Sequence, residues 1–167
     1  MKKVLLQIWR ILPPWLEHIA SAIIRPSYRV VVGAILFNEQ GQILLCRHTY
    51  RRRYPWGLPG GDIKFGEDPA DAVRRELWEE TGLSVQVAKL LCVESSKEVH
   101  RVILTYLCTG ISGTFIPNEE VSMIRYFDTG ELPAFPREQQ GTLDRALLIL
   151  KKERRSANGL ARSIDDG

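Results

Sequence analysis

Cysteine and histidine are scarce in this 167-residue chain, with three residues of each, and no long apolar run is present. The cysteines, Cys46, Cys92 and Cys108, form no CxxC pair and each lies among apolar residues, which argues against a disulfide framework or a cysteine-rich metal site. We predict that all three are reduced and buried, which favours a cytoplasmic location. The net charge of +3 is too small to indicate general nucleic-acid binding.

Residues 1–25 differ from the rest of the chain. Lys2 and Lys3, followed by Val4–Leu6, look like the start of a signal peptide, but polar residues and the pair Pro13-Pro14 interrupt the apolar stretch. The segment is also too polar to span a bilayer, and its apolar positions recur with helical spacing. We therefore predict an amphipathic helical extension that packs on the domain or on a second copy in a homodimer, or that lies on a membrane surface.

Residues 26–155 contain enough apolar sequence for one domain, and the polar tail 156–167 is predicted to be disordered. Strands and helices alternate without a strict βα order, which predicts an α+β fold. Strands are predicted near 29–37, 42–48, 84–94, 98–109 and 124–127, the first two as a hairpin around 38–41, and helices at 69–81 and 137–155.

The helix at 69–81 carries the most informative pattern. Asp68 and Pro69 are typical of an N-cap and first helical position, and Gly82 is typical of a left-handed stop. On this helix the carboxylates of Glu76, Glu79 and Glu80 stand at i, i+3 and i+4 and therefore share one face. Such a cluster repels itself unless a hard divalent cation binds, and Mg²⁺ prefers oxygen ligands.

The segment from Gly61 to Leu83, GDIKFGEDPADAVRRELWEETGL, resembles the box of the Nudix, or MutT-like, hydrolase family at every specified position. Multiplying average residue usage over those positions gives a chance occurrence on the order of 10⁻⁸. The preceding Trp56–Gly61 is similar to the family's usual approach to the box. The looser resemblance extends from about Tyr28 to Leu150.

The resemblance implies an α/β/α sandwich around a mixed sheet. It implies that Glu76, Glu79 and Glu80 bind Mg²⁺ or Mn²⁺ with the carbonyl of Gly61. Arg75 and Glu67 would orient those carboxylates. The reaction it implies is hydrolysis of a phosphoanhydride bond in a nucleoside-diphosphate-type compound, in which metal ions acidify water and neutralise phosphate oxygens. An intact box argues against the alternative, a catalytically silent nucleotide sensor or interaction module.

A carboxylate must accept the proton of the attacking water. We assign this role to Glu76, with Glu119 or Glu120 on a later loop as the alternative base or metal ligand.

The basic, aromatic loop before the box supplies candidate substrate contacts, namely Arg47, Arg53 and Trp56. The family's markers for ADP-ribose, dinucleoside polyphosphate, NADH and coenzyme A substrates do not match; Val99, for example, stands where the ADP-ribose group has proline. Nucleoside triphosphates, nucleotide sugars, CDP-alcohols and RNA 5′ ends remain as substrate classes, the last being the one expected link to nucleic acid.

Overall fold

The computed structural model describes residues 13–16, 27–96, 100–136 and 139–152. Of the predicted N-terminal extension, only one helical turn at 14–16 falls within these ranges. The rest of the extension and the tail 156–167 lie outside them, so the predicted membrane contact and homodimer stay predictions. None of the described helices is long and apolar enough to cross a membrane.

The described elements confirm the α+β class. In chain order they are β1 Arg29–Leu36, β2 Ile43–His48, β3 Trp56–Gly57, α1 Pro69–Thr81, β4 Leu83–Ser96, β5 Arg101–Gly113 and β6 Val121–Phe127, followed by a helix α2 at 139–152. The strands form two three-stranded sheets. One is mixed, in the order β1-β5-β4 with β1 and β5 parallel, and the other is antiparallel, in the order β3-β2-β6.

Two apolar clusters fix the layers. Helix α1 buries Ala72, Val73 and Leu77 against the side of β1 that carries Val32 and Ala34. Helix α2 buries Leu143 and Ala146 in a second cluster. The strand residues of that cluster are Ile35 of β1 and Ile43 and Leu45 of β2. Because successive side chains of a strand point to opposite faces, β1 and β2 contribute to both clusters. The strands therefore lie between two helices.

The predicted hairpin of the first two strands is only partly right. The turn forms, with Gly41 at φ 78 and a single bridge between Phe37 and Ile43. Beyond that bridge the strands diverge, since β1 pairs with β5 while β2 pairs with β3 and β6. Most residues of both strands are buried, on both faces. Each strand therefore buries more apolar surface inside a three-stranded sheet than it would in a two-stranded ribbon.

The cysteine prediction holds for two of the three residues. Cys46 and Cys108 are buried and Cys92 is half-buried, and all three are free thiols. Burial raises the pKa of each thiol, which keeps them protonated and unreactive.

Candidate active site

Helix α1 begins and ends where the local sequence signals place it. The Asp68 side chain accepts a hydrogen bond from the Ala70 N–H, Pro69 occupies the first turn, and Gly82 adopts φ 71 and donates its N–H to the carbonyl oxygen of Trp78. These caps fix where the helix begins and ends, and burial of its apolar face, Ala72, Val73 and Leu77, fixes its rotation. The three box glutamates therefore line one cleft with Gly61, Glu119 and Glu120.

The loop before α1 lies directly against β1. The Gly61 carbonyl oxygen accepts the Val32 N–H at 2.8 Å, and the Pro59 carbonyl oxygen accepts the Ala34 N–H at 2.9 Å. A carbonyl oxygen has two lone pairs, so Gly61 retains one for a cation. A Cβ at Gly61 would lie 2.3 Å from Glu76 Oε2, so only glycine lets this carboxylate approach the loop.

Arg75 joins the acidic side chains of the cleft. Its Nε and Nη2 bind the two oxygens of Glu67 at 2.7 and 2.8 Å, and its Nη1 contacts Glu76 Oε1 at 2.7 Å and Glu79 Oε2 at 3.0 Å. This pairing, with the Lys64 N–H, lowers the pKa of Glu67 to about 2. Glu67 therefore stays ionised and holds Arg75, as a residue that orients the neighbouring carboxylates would.

Glu80 is the most buried of the three box glutamates, with 3% of its surface exposed. Its Oε2 accepts the Gly60 N–H at 2.9 Å, and its Oε1 lies 3.7 Å from Nδ1 of the buried His48. Burial raises the pKa of Glu80 to about 8, and the nearby carboxylates of Glu76 and Glu120 add to the rise. Burial, together with the positive charge of Arg51, lowers the pKa of His48 to about 4, so this imidazole is neutral.

The donor set of the cleft fits a hard divalent cation. Carboxylates of Glu76, Glu79, Glu80 and Glu120 and the carbonyl of Gly61 are oxygen ligands of the kind that Mg²⁺ and Mn²⁺ bind. The Nη1 of Arg75 sits between Glu76 and Glu79, where its charge stands in for that of a cation. Within the described ranges no three acidic, histidine or cysteine side chains already converge as a ligand cluster, and Nη1 of Arg75 occupies the space between Glu76 and Glu79. Glu76 and Glu79 must therefore turn from Arg75 for a cation to bind.

Asn118 positions the second acidic segment. Its Nδ2 donates to the carbonyl oxygens of Glu79 and Glu80 at 2.8 and 3.1 Å, and its Oδ1 accepts the N–H groups of Glu120 and Val121 at 2.9 and 2.8 Å. The end of α1 is thus tied to the loop that carries Glu120. Sequence reasoning missed this residue, although asparagine just before a strand is a known turn-forming signal.

A basic cleft adjoins the acidic one. The two share Tyr50, Gly60, Gly61 and Asp62, and the basic cleft has a volume of about 600 Å³. Its lining includes four arginines and a single acidic residue: Arg29, Arg51, Arg53, Arg101 and Asp62. An acidic cleft that suits a cation therefore opens onto a basic cleft that suits an anion.

Of the three residues predicted to contact substrate, one lines a cleft and two do not. Arg53 lines the basic cleft, with its guanidinium over the ring of Tyr54. Arg47 instead contacts Ser122 Oγ at 3.4 Å, and Trp56 packs edge-on against Phe127, so neither lines a cleft. Arg47 is the one exposed residue of β2, on the face opposite its buried neighbour Cys46, and Trp56 is held by its pairing with β2.

A family model of the NUDIX domain matches residues 27–147, most of the described chain. The chain belongs to the Nudix family. The match covers both clefts and ends inside α2.

Known relatives agree with this membership. An RNA pyrophosphohydrolase of Roseobacter denitrificans is 39% identical over 69 residues, which are 41% of this chain and 43% of that protein. The match thus spans less than half of the relative. A MutT-like protein of Streptomyces ambofaciens is 30% identical over 107 residues, 64% of this chain and 68% of that protein.

A solved structure shows the same fold. The MutT NUDIX hydrolase from Burkholderia pseudomallei superposes with a TM-score of 0.63 at 29% identity, covering 71% of this chain and 98% of that one. The α+β architecture is therefore that of Nudix proteins.

Replacing Asn118 with alanine is expected to lower the free energy of unfolding by roughly 1 to 2 kcal/mol, because several hydrogen bonds between α1 and the Glu120 loop are lost. Urea unfolding followed by circular dichroism measures the change. Glu119→Gln is the matched control, because Glu119 is an exposed neighbour in the same loop and the change leaves the hydrogen bonds of Asn118 in place, so its stability should stay near that of wild type. Equal stability of wild type and Asn118→Ala would contradict the positioning role.

The raised pKa of Glu80 predicts a pH-dependent stability in chelator. Its folded pKa of about 8 lies above the ordinary value of 4.5, so the folded state binds the extra proton and the free energy of unfolding falls as pH rises through that interval. Between pH 7 and 8.5, above the titration range of His48, wild type should lose more thermal stability than Glu80→Gln. Thermal melts of both proteins in EDTA check this, and parallel pH profiles would contradict it.

Proposed function

We propose that this Nudix protein hydrolyses a phosphoanhydride bond of a nucleotide, using Mg²⁺ or Mn²⁺. The observation that carries the proposal is the junction of the two clefts at Gly60, Gly61 and Asp62. A nucleotide with linked phosphates needs a cation beside the bond that breaks and further positive charge beside its other phosphates. The two clefts offer these in one continuous site.

The cation would be held by Glu76, Glu79 and Glu80 with the carbonyl of Gly61. A divalent cation supplies charge against the phosphate oxygens and lowers the pKa of water. Arg75 and Glu67 act on the carboxylates: once Glu76 and Glu79 turn toward the cation, the bidentate pair of Arg75 with Glu67 keeps the guanidinium beside them.

In the reaction, water attacks a phosphorus atom, the bond from that phosphorus to the bridging oxygen breaks, and the proton of water passes to a carboxylate. Glu76 is the base we favour, because it lies against Gly61 at the junction of the clefts and because burial raises its pKa toward that of a proton acceptor at neutral pH. Glu120 lines the same cleft but is exposed, and it remains the alternative.

The substrate class is narrowed by the relatives. Several curated proteins of similar sequence are RNA pyrophosphohydrolases, although each shares only part of its length with this chain. We therefore place triphosphorylated RNA 5′ ends beside nucleoside triphosphates as the first substrates to test.

A phosphate-release screen tests the proposal. The full chain is incubated with nucleoside triphosphates, triphosphorylated RNA, nucleotide sugars, ADP-ribose and CDP-alcohols, with Mg²⁺ or with EDTA, beside Glu79→Gln. We expect EDTA-sensitive turnover that the variant lacks. If every compound stays intact although Mn²⁺ binds, the protein is a nucleotide sensor and the proposal is wrong.

A further inference from the structure

The basic cleft contains positive groups that have no acceptor. Arg51 Nη1 and Arg101 Nε are both buried and make no hydrogen bond to any residue in the described part of the chain. Among the other contacts of the cleft, Arg29 pairs with Asp62, and Arg51 and Arg53 each lie over a tyrosine ring, of Tyr50 and Tyr54, but a ring contact leaves the N–H donor of Arg51 Nη1 without an acceptor. Buried polar groups are nearly always satisfied, so these two guanidinium nitrogens are donors open to an anionic ligand in the cleft.

The two arginines reach the cleft from different elements of the fold. Arg101 begins β5 and lines the cleft with Ile103 and Thr105 on the same face of that strand, and Arg51 comes from the loop between β2 and β3. The guanidinium of Arg51 lies against Gly57, where an added Cβ would stand 2.4 Å from its Nη1. A ligand in the cleft therefore meets positive charge from two separate elements.

We infer that Arg51 and Arg101 form a phosphate subsite, and that the substrate is a 5′-triphosphate end rather than a diphosphate joined to a sugar. This inference rests on the proposed hydrolase function. In a nucleotide sugar, both phosphates flank the bond that breaks and both lie at the acidic cleft with its cation. The neutral sugar would then fall against two guanidinium groups that each hold a nitrogen without an acceptor, whereas a third phosphate would satisfy those nitrogens with charge-assisted hydrogen bonds.

The charge of the cleft supports the same choice. Four arginines against one aspartate leave a net charge of +3 in the lining, by 4 − 1. A polyphosphate chain complements that charge, and a neutral sugar does not. A free nucleoside triphosphate and a triphosphorylated RNA end carry the same chemistry, so the experiment has to distinguish them.

Steady-state kinetics of Arg51→Met and Arg101→Met test the subsite with GTP, triphosphorylated RNA and UDP-glucose. We expect kcat/KM for both triphosphates to fall about 10- to 100-fold in each variant, which corresponds to the loss of one charge-assisted hydrogen bond. UDP-glucose, which has no third phosphate, should be a poor substrate of the wild type and of both variants. Arg74→Met is the matched control, because Arg74 bridges to Asp71 on the far side of α1 and lines neither cleft. A larger kcat/KM for RNA than for GTP in the wild type would identify the RNA end as the source of the triphosphate.

Binding of inorganic tripolyphosphate in EDTA gives a second measure that needs no turnover. Calorimetry should show that tripolyphosphate binds equally to the wild type and to Arg74→Met. Binding to Arg101→Lys should be about 10-fold weaker, because lysine keeps the charge but lacks the guanidinium fork. Binding to Arg101→Met should be weaker still, because the charge is lost as well. A wild-type kcat/KM for UDP-glucose equal to that for GTP, or unchanged tripolyphosphate affinity in folded variants, would overturn the subsite while leaving the hydrolase intact. If the wild type cleaves nothing but tripolyphosphate binding depends on both arginines, the subsite stands and the hydrolase proposal fails.

Discussion

Glu76→Gln is expected to reduce kcat by about 10³-fold, the range observed for loss of a general base. The substitution keeps the shape of the side chain and its contact with Arg75 Nη1, but it removes the ability to accept a proton. Single-turnover kinetics with saturating Mg²⁺ measure the chemical step. Electron paramagnetic resonance of bound Mn²⁺ shows whether the loss comes from a missing proton acceptor or from a missing cation.

Glu120→Gln is the matched control for this substitution. Glu120 lines the same cleft and its charge raises the pKa of Glu76 and Glu80, but the residue is exposed. We expect it to lower kcat by less than about 10-fold, as loss of a supporting charge would. If Glu76→Gln kept near-full turnover with Mn²⁺ bound, and Glu120→Gln abolished turnover, the base would be Glu120.

Gly61→Ala is expected to abolish most activity with little loss of stability. An added Cβ would lie 2.3 Å from Glu76 Oε2, and the end of that flexible side chain must then move away from the loop. Displacing a reacting group by about 1 Å costs on the order of 10²-fold in rate. Initial-rate assays and thermal melts of the same preparation separate the two effects.

Gly60→Ala gives the opposite pattern and serves as the control. Gly60 has φ 140, and a Cβ there would lie 2.1 Å from the carbonyl oxygen of Val32, which belongs to the backbone of β1 and cannot rotate away. We expect a loss of more than about 2 kcal/mol in the free energy of unfolding. Similar melting temperatures for the two variants, or full activity in Gly61→Ala, would contradict the close approach of this loop to Glu76 and β1.

The part of the site that sequence predicts best is the part that local signals determine. Asp68, Pro69 and Gly82 act on their own helix, so the bounds of α1 and the shared face of Glu76, Glu79 and Glu80 follow from spacing alone. The same holds for the turn at Gly41. Each of these features depends on residues within a few positions of one another.

What sequence could not predict depends on contacts between distant segments. In the basic cleft, Arg29 and Arg101 meet because β1 pairs in parallel with β5, with Arg29 opposite Arg101, and Arg51 joins them from the loop between β2 and β3. Parallel pairing leaves no local signal comparable to a hairpin turn, and the chain between these strands includes the whole box helix. The approach of His48 to Glu80 has the same origin, since it brings the end of β2 to the end of α1.

Cation dependence of both binding and turnover tests the central claim most directly. Mn²⁺ binding would be titrated by electron paramagnetic resonance in wild type and Glu79→Gln, and release of phosphate from GTP and triphosphorylated RNA would be measured in the same samples. We expect the variant to lose Mn²⁺ binding and turnover together, and EDTA to abolish wild-type turnover reversibly. Turnover that survives EDTA, or a Glu79→Gln protein as active as wild type, would contradict hydrolysis at the box glutamates.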